Sequence, residues 1–188
     1  TIHVEVKAQK ARGNKNLLVF FGNYGEDYTR DVLKLDISDR VTCSNYVGEL
    51  LDYAVFCGFK TLLIIGHAGK LVKLAQGVMN THSKYADCRT EVMALQAMLH
   101  GASKEVGQEI YDCLTTDEVT KILKREGLFE PVMQEVAKKI DFYIQHRVHG
   151  KIKTGALMFS HVHGVLGKTE FADVLIELHK CKEKENER

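Results

Sequence analysis

No stretch of this chain approaches the ~20 consecutive apolar residues that a membrane-spanning helix requires, and none of its five cysteines pairs with another as CxxC. The first absence argues against a transmembrane protein. The second, with an odd cysteine count and irregular spacing (Cys43, Cys57, Cys88, Cys113, Cys181), argues against a disulfide framework and for a reducing compartment. An excess of charge is missing too: Lys plus Arg number 26 against 25 Asp plus Glu. That balance excludes a nucleic-acid or membrane surface built on bulk charge, and leaves room for a local basic pocket. The opening TIHVEVKAQK is charged and amphipathic, unlike a secretory leader, so a cytoplasmic location is expected. Internal repeats and low-complexity tracts are absent.

What is present is the composition of an ordinary globular domain, with 45% hydrophobic and 27% charged residues. Its 188 residues suffice for one domain with a full core. Three apolar runs, Leu17–Phe21, Thr61–Ile65 and Gly155–Ser160, are too short for helices and read as buried strands. Val41–Ser44 is a shorter fourth. Residues 1–13 suit a helix stopped by Gly13, and Tyr46–Phe56 places Tyr46, Val47, Leu50, Leu51, Ala54 and Val55 on one helical stripe closed by Gly58. A helix is expected to carry Leu71, Val72, Leu74, Ala75 and Val78. No strand signal occurs between Thr90 and Gly150; helices are expected over 90–100, 104–114, 116–125 and 131–148. Thr115 with Glu118 fits a capping box, and Pro131 a first helical position. A last helix spans Thr169–His179, and residues 181–188 form a solvated tail. The expected fold is therefore α/β: one domain over 1–180, with a mostly parallel sheet of about four strands and helices on both faces. A helical insertion over about 90–150 precedes the last strand.

Ligands of open parallel sheets sit beyond the C-terminal strand ends. Four loops qualify: Gly22–Gly25, Ser44–Asn45, Gly66–Lys70 and His161–Gly164. In GNYG, glycine permits close backbone approach and Asn23 offers donor and acceptor; a plain turn is the alternative. GHAGK lacks the GxxxxGK[ST] spacing of a phosphate loop, since Leu71 follows Lys70, and no GxGxxG follows any strand. What survives is a helix start with Gly69 and Lys70, Lys73 lying at i+3 on the same flank. Solvated surface lysines are the competing reading. Asn80-Thr81-His82-Ser83 and the pair Asp87/Arg89 follow, as ligand groups or as capping and a surface ion pair. His67 and His82 are candidate acid–base groups because imidazole titrates near neutrality. His161 and His163 alternate at a strand end, but no third ligand makes a metal site.

GNYGEDY (22–28), CSNYVGELLDYAVFCGFK (43–60) and GHAGKLVKLAQGVMNTHSKYADCR (66–89) resemble the cobalt-precorrin-5B C-1 methyltransferase family of anaerobic cobalamin biosynthesis. Cys88 stands where the family pattern has glycine. The resemblance implies transfer of a methyl group from S-adenosylmethionine to ring carbon C-1 of a cobalt-containing tetrapyrrole, giving cobalt-precorrin-6A. The metal then arrives with the substrate, and no protein metal site is implied. It implies donor contacts at Gly22, Asn23, Tyr24, Gly25, Asn45, Gly66, Gly69 and Asp87. Tetrapyrrole contacts are implied at Lys70, Lys73, Asn80, Thr81 and Arg89, with His67 and His82 as catalytic candidates. Family members carry a further N-terminal half, so this chain, which opens on Thr1, is expected to be the C-terminal portion. The other half or a second copy is the expected partner; neither nucleic acid nor membrane is. Two rival readings stay open: a non-catalytic corrinoid- or nucleotide-binding module, and a histidine-dependent hydrolase or lyase on the same scaffold.

Overall fold

The computed structural model describes residues 1–21 and 24–180, with backbone alone at 24 and 25. Its elements are α1 (Ile2–Ala11), β1 (Asn16–Phe20), α2 (Tyr24–Asp31), β2 (Val41–Thr42), α3 (Val47–Cys57) and β3 (Thr61–His67). After β3 come α4 (Ala68–Leu71), a 3-10 turn (Val72–Gln76), α5 (Arg89–Leu99), α6 (Lys104–Tyr111), α7 (Thr116–Arg125) and α8 (Phe129–Val148). The chain closes with β4 (Lys153–Ser160), β5 (Gly164–Lys168) and α9 (Ala172–Leu178). The strands form one sheet in the order β2-β1-β3-β4-β5, parallel except for the β4–β5 pair.

Alternation along the strands divides the core. Leu17, Val19, Leu62, Ile64, Ala156 and Met158 face a large cluster that includes residues of α1, α3, α5 and α8. Leu18, Phe20, Leu63, Ile65, Leu157 and Phe159 face a smaller one with Leu175 and Ile176 of α9 and Tyr28 of α2. Both faces of each central strand are thus apolar, which is why these strands read as continuous runs and not as alternating ones. The connection β1-α2-β2 steps one way along the sheet, and β2-α3-β3 steps back across β1. With right-handed crossovers these opposite steps put α2 and α3 on opposite faces, as observed.

Several expectations need adjustment. The sheet has a fifth strand: β5 is antiparallel and at the edge, and only Leu166 of GVLGK is buried. The helical insertion therefore precedes the last parallel strand, β4. The helix after β3 does not continue to Val78. It tightens into a 3-10 turn and ends at Gly77, whose φ of 74° is left-handed. Pro131 is the third residue of α8, not the first; its missing N–H still falls within the first turn, where no intrahelical partner exists. The expected capping box is present, with Thr115 accepting from the Glu118 N–H and Glu118 accepting from Thr115. The expected tail, residues 181–188, lies outside the described residues.

Gly77 is also where α8 of the insertion packs on the end of the 3-10 turn. A Cβ there would lie 2.9 Å from two ring carbons of Tyr143 on α8. Gly77→Ala combines that overlap with a left-handed backbone. The substitution should cost about 1–3 kcal/mol, read as a lower urea midpoint at unchanged slope. An unchanged midpoint would mean that Tyr143 does not pack there in solution.

Candidate functional site

The strand order reverses between β1 and β3, and the C-terminal strand ends beside such a switch point are where open α/β sheets hold ligands. β3 delivers Gly66 and His67 there, opposite Met158 and Phe159 of β4. Gly66 serves packing: a Cβ would lie 2.9 Å from Cδ2 of Phe21. His67 is the N-cap of α4, its Nδ1 accepting the Gly69 N–H at 3.1 Å. A neutral ring accepting at Nδ1 carries its proton on Nε2, so it presents a donor. With Nδ1 occupied, His67 is no ready general base.

The other cations of the sheet end sort into three roles. Arg89, at the start of α5, makes a two-pronged pair with Asp87, Nε and NH2 each donating at 2.7 Å. Its NH1 lies 3.6 Å from where a Gly69 Cβ would be, an ordinary contact distance, so the guanidinium lies against the α4 start. The Arg89 side chain retains 25% exposure and the Asp87 side chain 43%. Lys70 is half-buried and donates to Asn45 Oδ1 at 3.0 Å. Burial holds its pKa below the ordinary lysine value.

Lys73 is the departure. It does not share an exposed flank with Lys70, because the chain tightens to a 3-10 turn at Val72 and turns it inward. It is 4% exposed, and its Nζ donates to the carbonyls of Thr81 and Ala86 at 3.0 and 3.1 Å. Lys73 therefore ties down the loop 80–87 from beneath, and solvated lysines are not what the sequence encodes here. The loop is tied a second time through Asn45, whose Oδ1 accepts from Thr81 Oγ1 and whose carbonyl accepts the Thr81 N–H. Asn45, Lys70 and Thr81 thus meet, although the sequence separates them widely.

Asn80 and His82 are less engaged. The Asn80 side chain accepts the His82 N–H, and the exposed His82 ring accepts the Lys84 N–H, both within one local turn. The polar run NTHS does not interrupt a helix; it follows one that has already ended at Gly77. Gly22 and Asn23 lie outside the described residues, and at Tyr24 and Gly25 the backbone alone is described. Cys43 is buried, and burial pushes its thiol up to about 12. Cys57, Cys88 and Cys113 are also free thiols.

One part of this sheet end was not read from the sequence. Asp117, in the first turn of α7, accepts a hydrogen bond from Ser160 Oγ at 2.5 Å. Ser160 ends β4, is fully buried, and accepts the N–H groups of Val162 and His163 at 3.1 Å each. His161 and His163 thus sit in a turn, and strand alternation does not orient them. The His161 ring lies 6.1 Å from His67, and both rings stand edge-on to Phe159. A bound serine at a strand end was the only available signal, and it named no partner.

Burial holds the His67 pKa below its ordinary 6.5; Asp117 opposes this, while His161 and Arg89 reinforce it. Protonating Nδ1 would also break the cap. Because the folded state favours the neutral ring, its contribution is complete above pH 6.5 and is lost as the pH falls through the depressed folded value. We expect the stability lost between pH 8 and 5.5 to be smaller in His67→Asn, which caps without titrating, as read from urea midpoints at the two pH values. His179, also held low by burial, keeps a share of the slope in both proteins. Equal slopes would remove His67 from the account.

Residues 80–170 match the family model described as CbiD, C-terminal domain. The chain is similar to proteins named cobalt-precorrin-5B C(1)-methyltransferase from several organisms. That of Ruminiclostridium cellulolyticum is 42% identical over 189 residues, covering 97% of this chain and 49% of the relative. That of Alkaliphilus metalliredigens is 34% identical over 182 residues, 97% and 48%. The protein of Methanocaldococcus jannaschii is 37% identical over 163 residues, 87% and 45%. The chain thus spans about half the length of the curated relatives it matches. No solved structure matches it.

Proposed function

This chain belongs to the cobalt-precorrin-5B C(1)-methyltransferase family, and from that premise we propose that its sheet end is one wall of a site for methyl transfer from S-adenosylmethionine to C-1 of a cobalt-containing tetrapyrrole. The observation that carries the reading is that β3 and α4 bring the capped His67 ring and Lys70 to the C-terminal end of the sheet, with the Arg89 guanidinium against Gly69. Tetrapyrroles of this kind are polycarboxylates, and paired cations with a neutral donor are what carboxylates require. The amino-acid end of the donor bears a carboxylate as well, so the same groups fit it. When bound, S-adenosylmethionine supplies an electrophilic methyl group on a sulfonium.

The chain's own task is to align donor and acceptor, since in-line transfer gains most from position. Lys70 and Arg89 hold carboxylates, and His67 donates from Nε2. Lys73 and Asn45 keep the loop 80–87 in place, with Thr81 against Asn45. Asp87 acts through Arg89, its carboxylate being engaged there. The other half of the relatives' length, or a second copy, is the expected source of the opposing wall.

A histidine-dependent hydrolase fits these residues poorly. His67 Nδ1 is occupied, and the hydroxyl of Ser160 is enclosed and donates to a carboxylate. The discriminating experiment adds cobalt-precorrin-5B and donor labelled in its methyl group. Label should reach the tetrapyrrole, and Lys70→Ala or Arg89→Ala should each weaken tetrapyrrole binding about 10- to 100-fold, the loss of about 1.5–3 kcal/mol for a charge-assisted hydrogen bond. His67→Gln should raise KM more than it lowers kcat. Tight binding without transfer would make the chain a binding module, and hydrolysed tetrapyrrole without label, lost in His67→Gln, would favour the hydrolase.

A further inference from the structure

We infer that the Asp117–Ser160 pair is a positioning device for this site, through which the helical insertion sets the placement of His161 opposite His67. The inference rests on the reading of this sheet end as the methyl-transfer site. Its basis is a hydroxyl with all its capacity used: Ser160 Oγ donates once, to Asp117, and accepts twice, from the N–H groups of Val162 and His163. The hydroxyl is fully buried, so water cannot replace any of these partners. The turn 161–163 is therefore fastened to α7 through a side-chain relay, and α7 belongs to the insertion between β3 and β4. His161, the first residue of that turn, has its ring 6.1 Å from His67 and 28° from parallel to it.

Asp117 also brings charge. The charged and titratable groups acting on His67 are Asp117 from α7, His161 from the turn after β4, and Arg89 from the start of α5. Of these, Asp117 alone favours the protonated ring. A group that merely closed a gap between α7 and β4 would do nothing of the kind. Shifting α7 would then move both the ring opposite His67 and the charge beside it, so the insertion acts on the site without touching a ligand.

Two variants of the full chain separate these effects. Asp117→Asn keeps an acceptor for the Ser160 hydroxyl and removes the charge. Ser160→Ala keeps the charge and removes the relay. The readout is the histidine side-chain region of two-dimensional NMR spectra across pH. In Asp117→Asn the His67 ring should titrate at lower pH than in the parent, with the His67–His161 ring cross-peak retained. In Ser160→Ala that cross-peak should be lost while thermal unfolding stays cooperative. Should Ser160→Ala not fold, Asp117→Ala removes the same relay from the other side and is read in the same way. An unmoved His67 titration in Asp117→Asn, or a cross-peak unchanged in the relay variants, overturns the inference. Saturating S-adenosylhomocysteine, added to the parent chain, tests the underlying reading separately. Silence of both rings would remove the methyl-transfer assignment from this end, while the variant results still judged the relay.

Discussion

Replacing Lys73 by methionine should cost the domain about 3–5 kcal/mol, because it leaves two carbonyls facing a thioether in the interior. Methionine matches the stem, so packing is nearly conserved and the loss falls on the ammonium. The carbonyls of Thr81 and Ala86 then lack a donor, and each unpaired group carries a desolvation penalty. For a chain of this size the melting temperature should fall on the order of 10 °C. The loop can also respond by opening to hydrate those carbonyls, which trades stability for order. Hydrogen exchange should therefore show lost protection over residues 80–87, even where the melting shift is small. Unchanged stability together with unchanged exchange would show that Lys73 does not hold the loop. Tetrapyrrole binding should weaken as well, though Lys73 is enclosed, since Thr81 and Arg89 flank the segment it anchors.

Gly155→Ala should be nearly as damaging for a different reason. A Cβ at this position of β4 would lie 2.9 Å from Cα of Ala172 and 3.2 Å from its nitrogen. Those are backbone atoms of α9, which cannot turn aside as a side chain can. Overpacking of this kind costs about 1–3 kcal/mol, and a backbone obstacle belongs at the upper end. The helix must lift from the sheet, loosening Leu175 and Ile176 from the smaller core. Far-UV signal should be kept while the unfolding midpoint falls. A Gly155→Ala protein as stable as the parent would show that α9 stands farther from β4 than described here.

How much of this was legible beforehand depended on where the controlling contacts lie. The strands β1, β3 and β4 were visible because both of their faces are buried, which leaves unbroken apolar runs in the chain. β5 was not, because an edge strand with one buried side chain in GVLGK carries neither a run nor an alternation. The loop Gly66–Lys70 could be placed at a strand end from its own sequence, and the strand order puts that end beside the β1/β3 switch point. Lys73 misled because i, i+3 spacing assumes a regular helix, whereas the 3-10 turn changes which way the side chain faces. The carbonyls that receive its ammonium come from a loop with no signature for that task. Asp117 and Ser160 lie 43 residues apart, and nothing local joins a capping helix to a strand end.

The resemblance to one enzyme family supplied the chemistry, and the geometry redistributed the roles. In the proposed site Lys70 and Arg89 are the cations offered to a ligand, while Lys73 and Asp87 act through the loop and through Arg89. In the same reading His67 is a donor, and His82 stays on an exposed turn, bonded within it.

The central claim is that ligands meet this chain at the C-terminal ends of β1, β3 and β4. A competing concavity lies at the opposite end of the sheet, lined by Asn14, Lys15, Asn16, Asp36 and His179. Backbone amide shifts recorded while S-adenosylhomocysteine, and separately a cobalt corrinoid, are titrated into the chain decide between the two. Shifts concentrated at Asn45, Gly66–Lys70, Thr81, Arg89 and His161 are the predicted result. Shifts confined to Asn14–Asn16, Asp36 and His179 would contradict it.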